Sequence, residues 1–185
     1  VDFSRLPLAA GDIVLDLGCG EGRHVISAYV EANIHSVGVD LSLDDLKTTR
    51  ERFASFAEPD NEARSFGLSS ASALHLPFAD NTFDKVIASH VITVVPEPLH
   101  TLNEIKRVCK KDGEIFILNY TGCNNKIISR FEEFISPVRD KVGLGKHVNL
   151  DELLQYANLS ILSERRVNFL EMCRLVKCKN NPVFP

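Results

Sequence analysis

The sequence predicts an α/β fold in which a doubly wound, mostly parallel sheet carries helices on both faces. Short apolar segments typical of buried strands alternate with segments of helical periodicity along the 185 residues, and parallel neighbouring strands require such helical crossovers. The last two strand segments have no helix between them, so we expect an antiparallel pair at one edge of the sheet. The length suits one domain, to which we assign residues 1–185.

The first half of the chain supplies three strands and two helices. The predicted elements are, in order, a strand at 12–17, a helix at 22–33, a strand at 35–40, a helix from 42 to 53 or 56, and a weaker strand at 62–70. Tyr29 and Val30 lie on the apolar side of the first helix. Ser42 stands where an N-cap is expected, and Asp44 and Asp45 occupy the first turn, where the helix dipole favours negative charge.

The second half continues the alternation and ends with two strands. The predicted elements are a strand in the β-branched run 84–95, a helix at 100–110, a strand at 113–120 after a Lys-Asp-Gly turn, helices at 127–142 and 150–157, and strands at 160–168 and 173–178. In the helix at 100–110, the spacing turns Leu102, Ile105 and Val108 towards the core.

Composition excludes several classes of protein. Charged residues make up 25% of the chain and hydrophobic residues 44%, which is an ordinary globular balance. The net charge of −4 disfavours a broad nucleic-acid surface, so no nucleic-acid partner is expected. The sequence has neither a membrane-spanning run nor a signal peptide, and its five cysteines show no paired spacing. We therefore expect a cytoplasmic protein with reduced thiols and without a metal site.

An aspartate precedes three closely spaced glycines at the end of the first strand. Asp16 lies two residues before Gly18, and Gly20 and Gly22 complete a G-x-G-x-G pattern. A glycine-rich turn between a strand and a helix lets a ligand approach the backbone closely. Dinucleotide sites use G-x-G-x-x-G, and a carboxylate at this position would repel their diphosphate. A dinucleotide-dependent oxidoreductase is therefore the weakest hypothesis.

S-adenosylmethionine removes this conflict, because it has no phosphate and carries a cationic ammonium group and a cationic sulfonium. Asp16 is expected to attract the ammonium group, and amides of the glycine turn are expected to face the methionine carboxylate. Asp40, at the end of the second strand, is placed to accept both ribose hydroxyls. The alternatives are a tight turn without a ligand for the glycines and a turn or cap residue for Asp16.

Four motifs occur in a characteristic order, and they read LDLGCGEG, GVDLS, LHLPFADNTFDKVIASHV and LNEIKRVCKKDGEIFILNY. Over nearly the whole chain they resemble class I S-adenosylmethionine-dependent methyltransferases with a type 11 methyltransferase domain. The resemblance implies a Rossmann-like three-layer α/β/α sandwich with seven strands in the order 3-2-1-4-5-7-6, the last strand being antiparallel. The second half of the chain is similar to bacterial phosphatidylethanolamine N-methyltransferases.

The motifs and this resemblance together predict the residues that bind S-adenosylmethionine. They are Asp16, Gly18, Cys19, Gly20, Gly22, Asp40, Leu41, Ser72, Ala73 and Ser89. Ser72 stands where many relatives carry an aspartate that binds the adenine amino group, and its neutral hydroxyl is a weaker acceptor. Relatives also carry one or two helices before the first motif. This sequence begins at Val1 without them, so we expect it to lack an N-terminal lid segment.

Methyl transfer is an in-line displacement for which the protein mainly supplies alignment and desolvation. An amine acceptor must be neutral to attack, and His90, after the fourth strand, is the candidate for removing its proton. Tyr120 and Asn119, at the end of the fifth strand, are candidates for positioning the acceptor. The alternative for His90 is a core or ligand-shell histidine that transfers no proton.

Three classes of function stay open at this point. The first is methyl transfer to a phospholipid amine such as that of phosphatidylethanolamine, with peripheral membrane contact as part of it. The second is methyl transfer to a small molecule, including C- or O-methylation of a quinone-type acceptor. The third is a non-enzymatic module that binds S-adenosylmethionine or S-adenosylhomocysteine. The oligomeric state is left undetermined by the sequence.

Overall fold

The computed structural model describes residues 6–57, 64–120, 149–167 and 173–181. The strands in this part of the chain are β1 (Ile13–Leu17), β2 (His35–Asp40), β3 (Phe66–Ser70), β4 (Phe83–Ser89), β5 (Cys109–Tyr120), β6 (Ser160–Val167) and β7 (Cys173–Lys179). The helices are α1 (Arg23–Ala32), α2 (Leu43–Phe53), α3 (Pro98–Val108) and α4 (Leu150–Tyr156).

The seven strands form one sheet in the order β3-β2-β1-β4-β5-β7-β6, which confirms the predicted fold. β1 pairs in parallel with β2 and β4, β4 pairs in parallel with β5, and β7 is antiparallel to both β5 and β6. The chain order reverses between β1 and β4. Ligands of open parallel sheets bind beyond the strand ends at such a reversal.

Helices cover both faces of the sheet. α1 and α2 pack on one face, where Ala28, Ile34 and Ile87 belong to the same buried cluster. α3 and α4 pack on the other face, where Leu102 and Leu154 join the larger cluster. The inward positions predicted for α3 are correct, since all three of its predicted core side chains are fully buried. The N-cap is also as predicted, because the Ser42 hydroxyl accepts the amide hydrogen of Asp45 at 3.2 Å.

Three local predictions need correction. Val30 is exposed, whereas Tyr29 is buried as predicted, and the buried side of α1 also includes Ile26 and Ala28. β4 ends at Ser89 and not in the 90–95 region, because His90 has a φ of +60° that turns the chain out of the sheet. β5 begins at Cys109, before the predicted Lys-Asp-Gly turn.

Some sequence predictions fall on other segments. The predicted helix at 127–142 and the 169–172 connection between the last two strands lie outside the described residues. Among the helices that the structure describes, none is both long enough and apolar enough to cross a bilayer. Nor does any group of three or more His, Cys, Asp or Glu side chains in this part of the chain come together to hold a metal ion.

Candidate functional site

The carboxyl ends of β1, β2, β4 and β5 meet at one edge of the sheet. β1 ends at Leu17 and leads into the glycine turn. β2 ends at Asp40, β4 at Ser89 and β5 at Tyr120. Parallel pairing forces this arrangement, because every crossover helix returns the chain to the opposite edge. The structure thereby brings most of the predicted site residues together.

The glycine turn uses several of its own amides. The amides of Gly18 and Cys19 both donate to the carbonyl of Val39, at 2.8 and 3.0 Å. The Gly20 amide donates to Oδ2 of Asp40 at 2.8 Å. The prediction that amides of this turn face a methionine carboxylate is therefore wrong for these three groups, whose hydrogens are already bound. Their role is to join the turn to the end of β2.

Two glycines of the turn have different surroundings. Gly18 has a φ of +69°, and a Cβ there would lie 2.4 Å from Cγ2 of Val91, so the turn contacts the loop after β4. Gly20 has a φ of +50°, and nothing lies within 4 Å of the position that its Cβ would occupy. The hydroxyl of Thr49 on α2 donates to the Gly20 carbonyl at 2.7 Å and fixes this conformation. The open side of the turn is therefore at Gly20, where a ligand can reach the backbone.

Cys19 contributes its backbone to the turn and not its thiol. The side chain is buried in a cluster with Val25, Ile26 and Leu46. Burial raises the pKa of the thiol to about 12, and the carboxylate charge of Asp16 adds to the increase. The thiol is therefore protonated and unreactive at neutral pH.

Asp16 is a buried carboxyl group whose oxygens are unsatisfied within the described structure. Its residue exposure is 1%, and no described residue donates a hydrogen bond to either oxygen. Burial raises the pKa of this carboxyl to about 7; the Val25 amide opposes the increase without making a hydrogen bond of normal geometry, and the Asp40 carboxylate adds to it. An unpaired buried carboxyl is costly. A cationic ligand group would offset that cost, so the residue fits the ammonium of S-adenosylmethionine.

Asp40 is partly buried and holds two backbone segments. Its Oδ1 accepts the Ser42 amide at 2.9 Å, and its Oδ2 accepts the Gly20 amide. Each carboxylate oxygen has a second lone pair, so both oxygens keep the capacity to accept a ribose hydroxyl. The residue is thus suited to bind a ligand and also organises the turn around it.

The residues predicted to face adenine lie around the same strand end. Leu41 follows Asp40 and is 74% exposed, which leaves an apolar surface available to an adenine ring. The Asp40 carbonyl accepts the amide of Ala71, which brings the next residues alongside. The Ser72 hydroxyl accepts the Leu74 amide at 3.2 Å, and Ala73 packs against the core. Ser72 therefore stabilises its own turn and keeps one lone pair for a ligand.

His90 follows Ser89 at the end of β4. Its amide donates to the Leu118 carbonyl at 2.7 Å, which fixes the point where the chain leaves the sheet. Partial desolvation lowers the pKa of the His90 imidazole, so the ring is neutral at pH 7 and can accept a proton. His24 in the first turn of α1 lies within electrostatic range of His90, and burial lowers the pKa of His24 to about 4.

Asn119 and Tyr120 end β5 and point to opposite faces of the sheet. Tyr120 packs against the cluster on the α1 face. Asn119 points to the α3 face with 1% exposure, and neither its carbonyl oxygen nor its amide nitrogen has a partner among the residues described.

Sequence reasoning missed three buried hydroxyl side chains of the described structure. Thr49 holds the glycine turn, the Ser36 hydroxyl donates to the Val25 carbonyl at 2.9 Å, and Thr101 is fully buried on α3. For Thr49 a signal existed, since it lies one turn after Leu46 on the buried side of an otherwise charged helix.

Comparisons with known proteins agree with this geometry. The family profile described as a methyltransferase domain matches residues 8–158. A phosphatidylethanolamine N-methyltransferase of Cereibacter sphaeroides is 27% identical over 157 residues, which are 84% of this chain and 74% of that protein. A demethylmenaquinone methyltransferase of Lactobacillus johnsonii is 32% identical over 128 residues, 68% of this chain and 51% of that protein.

A solved structure shows the same fold. The S-adenosylmethionine-dependent methyltransferase from Methanosarcina mazei superposes with a TM-score of 0.73 at 18% identity, covering 94% of each chain. The family match extends over most of the sequence and includes every predicted cofactor-binding residue. The chain therefore belongs to the methyltransferase domain family of S-adenosylmethionine-dependent enzymes.

Proposed function

We propose that this chain transfers the methyl group of S-adenosylmethionine to the amine of phosphatidylethanolamine. The cofactor half of this proposal rests on the buried carboxyl of Asp16, which has no hydrogen-bond partner among the described residues, and on the open space at Gly20 in the turn that follows it. The acceptor half is supported by the similarity to the Cereibacter sphaeroides N-methyltransferase over 84% of the chain.

The residues of the glycine turn and of the β2 end would hold the cofactor. Asp16 would pair with the ammonium group, Asp40 with the ribose, and Leu41 and Ser72 with the adenine. S-adenosylmethionine supplies a methyl group that its sulfonium has already activated. The work left to the protein is alignment of the acceptor and exclusion of water.

The acceptor side of the site would lie beyond β4 and β5. His90 is neutral at pH 7 and stands at this edge, so it is suited to take the proton that an amine loses. Val94 in the loop between β4 and α3 and Leu99 in the first turn of α3 are exposed. Apolar side chains next to the acceptor side suit a lipid substrate that is reached at a membrane surface.

A second candidate is methylation of a quinone-type ring, which the similarity to the demethylmenaquinone methyltransferase supports. The acceptor atom would then be a ring carbon and not an amine nitrogen. Both candidates share the cofactor site and differ only in the acceptor.

The test is transfer of a labelled methyl group to phosphatidylethanolamine vesicles, compared with demethylmenaquinol in the same vesicles. Gly20→Ala and Gly11→Ala form a matched pair, because both glycines have positive φ and open space around an added Cβ. Both changes place a Cβ on a residue with positive φ, but only Gly20→Ala would fill the cofactor side of the turn. We expect Gly20→Ala to weaken S-adenosylmethionine binding at least tenfold and Gly11→Ala to leave it unchanged.

The outcomes separate the two halves of the proposal. Methylation of the quinol and not of the phospholipid would overturn the proposed acceptor. Binding of S-adenosylmethionine without transfer to any acceptor would point to a binding module. Equal affinities in the two glycine variants would place the cofactor elsewhere.

A further inference from the structure

Two buried polar side chains on the α3 face have no hydrogen-bond partner within the described ranges. They are the carboxamide of Asn119, the penultimate residue of β5, and the hydroxyl of Thr101 in the first turns of α3. α3 follows β4 and begins at the carboxyl edge of the sheet, and it packs on β5. Both groups therefore lie towards the edge that carries the cofactor residues. Buried polar groups are normally paired, so an unpaired group at such an edge indicates a ligand contact.

Asn180 shows what a structural asparagine does in this fold. It is also buried, with 5% exposure, and the two hydrogens on its Nδ2 serve the carbonyls of Lys106, Cys109 and Lys110 at N–O distances of 2.9, 2.9 and 3.1 Å. Asn180 thereby ties the end of α3 to the start of β5. Asn119 makes no contact of this kind with any described residue. No structural hydrogen bond to the described part of the chain therefore accounts for its carboxamide.

Asn119 follows the residue that binds the backbone of the candidate base, and it lies away from the cofactor carboxylate. The His90 amide binds the carbonyl of Leu118, the residue before Asn119. Asp16 lies on the opposite face of the sheet, two strands away, since β4 separates β1 from β5. Asp16 and Asn119 therefore occupy different halves of the site.

The surroundings of Asn119 disfavour a charged acceptor. Ile115 and Ile117 precede it on the same face and are fully buried. The residue opposite Asn119 on β7 is Arg174, whose guanidinium pairs with Asp151 at 2.8 Å and with Glu164. Desolvation opposes protonation of an amine, whereas the charge of Arg174 is offset by its two carboxylate partners. A neutral carboxamide, unlike a carboxylate, does not reverse this effect.

We propose that Oδ1 of Asn119 accepts an N–H hydrogen of the acceptor amine and directs the nitrogen lone pair towards the methyl group. This inference rests on the proposed function and identifies the residue that selects a primary or secondary amine. The lone pair forms the new N–C bond while the C–S bond breaks and its electron pair stays on sulfur. The nitrogen then carries a positive charge, which it loses with one proton to the His90 imidazole or to water.

The test compares Asn119→Leu with Asn180→Leu, a matched change at a satisfied buried asparagine. Three quantities are measured: the S-adenosylmethionine affinity by calorimetry, the midpoint of thermal unfolding, and kcat and KM for phosphatidylethanolamine vesicles. For Asn119→Leu we expect an unchanged cofactor affinity, an unchanged or higher unfolding midpoint, and a fall in kcat/KM of about 100-fold or more. For Asn180→Leu we expect a lower unfolding midpoint with transfer retained by the folded protein.

A second variant tests the charge argument. Asn119→Asp preserves the shape of the side chain but places a carboxylate beside the amine, which stabilises the protonated form. The pH profile of kcat/KM should therefore shift upwards by about one unit or more, an effect that a purely structural role does not produce.

Each result has one meaning. If the wild-type protein transfers no methyl group to the phospholipid, the proposed acceptor is wrong, and the amine contact fails with it. If the wild-type protein does so and Asn119→Leu transfers equally well, only the contact is wrong. A fall in the unfolding midpoint of Asn119→Leu as large as that of Asn180→Leu would assign Asn119 a structural role.

Discussion

Asp16 combines complete burial with a carboxyl group that titrates near neutral pH. Its pKa of about 7 lies well above its ordinary value of 3.8 because burial disfavours the ionised form. An ammonium ligand requires that ionised form. Binding must therefore release a proton whenever the free protein holds Asp16 protonated, which couples cofactor affinity to pH.

This coupling predicts the direction of the pH dependence. Affinity for S-adenosylmethionine should rise by about tenfold per pH unit up to about pH 7 and then level off. The Asp16→Asn variant should bind more weakly and show a flat profile from pH 5.5 to 7.5. Calorimetric titrations across this range measure both. A wild-type affinity that does not change with pH would contradict the role assigned to Asp16.

The same raised pKa affects the unliganded protein with a defined sign. The raised pKa of Asp16 contributes to the stability of the folded protein below pH 3.8, the ordinary pKa of this group in the unfolded chain. This contribution is lost as the pH rises through about 7. The Asp16→Asn variant carries an uncharged amide at this position, so it does not lose this stability at alkaline pH. Cofactor affinity and stability are thus opposed at one residue.

At the scale of elements, Arg107 on α3 fastens the 76–80 segment that leads into β4. Its guanidinium donates to the carbonyls of Leu76 and Phe78 and to both oxygens of Glu104, at 2.7 to 2.9 Å. A further hydrogen bond reaches Asp80 at 2.9 Å. These bonds raise the pKa of the guanidinium, the bond to Glu104 contributing most. This segment follows the predicted adenine residues, so α3 indirectly supports the cofactor site.

Replacing this arginine should therefore be costly. We expect Arg107→Met to lower the free energy of unfolding by about 2–4 kcal/mol, because it leaves Glu104 and two carbonyls without their donor. Arg52→Met is the matched control, since Arg52 pairs with Glu21 on the exposed surface and should cost less than about 1 kcal/mol. Urea denaturation measures both changes. Equal losses in the two variants would show that the α3 contacts add little.

Elements also show where sequence patterns stop being informative. β2 has the predicted bounds, because an apolar segment between polar ends marks a buried strand. The sequence predicts a longer β4 because Val91 and Ile92 continue the apolar run. These two side chains are buried, but they belong to the turn after β4 and not to the strand. The positive φ of His90 depends on tertiary contacts and not on the local sequence. The shared Val39 carbonyl, and the absence of a partner for Asn119 among the described residues, likewise depend on distant segments and cannot be read from local spacing.

At the scale of the whole molecule, the parallel sheet gathers its ligand groups from distant parts of the chain. Asp16, Asp40 and Asn119 come from three strands, whose carboxyl ends form one edge only when the sheet is complete. A ligand that contacts all of these strand ends binds the native state and not the unfolded chain. Cofactor binding should therefore stabilise the entire fold.

Thermal unfolding with and without cofactor measures this linkage. S-adenosylmethionine at 100 times its Kd should add about 2.7 kcal/mol and raise the midpoint of unfolding by about 5–10 °C. NAD at the same concentration should leave the midpoint unchanged, because its diphosphate would meet the Asp16 carboxylate. An equal increase with NAD would contradict the electrostatic basis of the site.

The position of Asp16 also has a consequence for turnover. Methyl transfer removes the charge on sulfur but leaves the ammonium group of the ligand intact, so a ligand bound through Asp16 would keep this ion pair after it has lost its methyl group. Such a site would favour inhibition by the product. Steady methylation by this enzyme would depend on a partner reaction that continually removes S-adenosylhomocysteine.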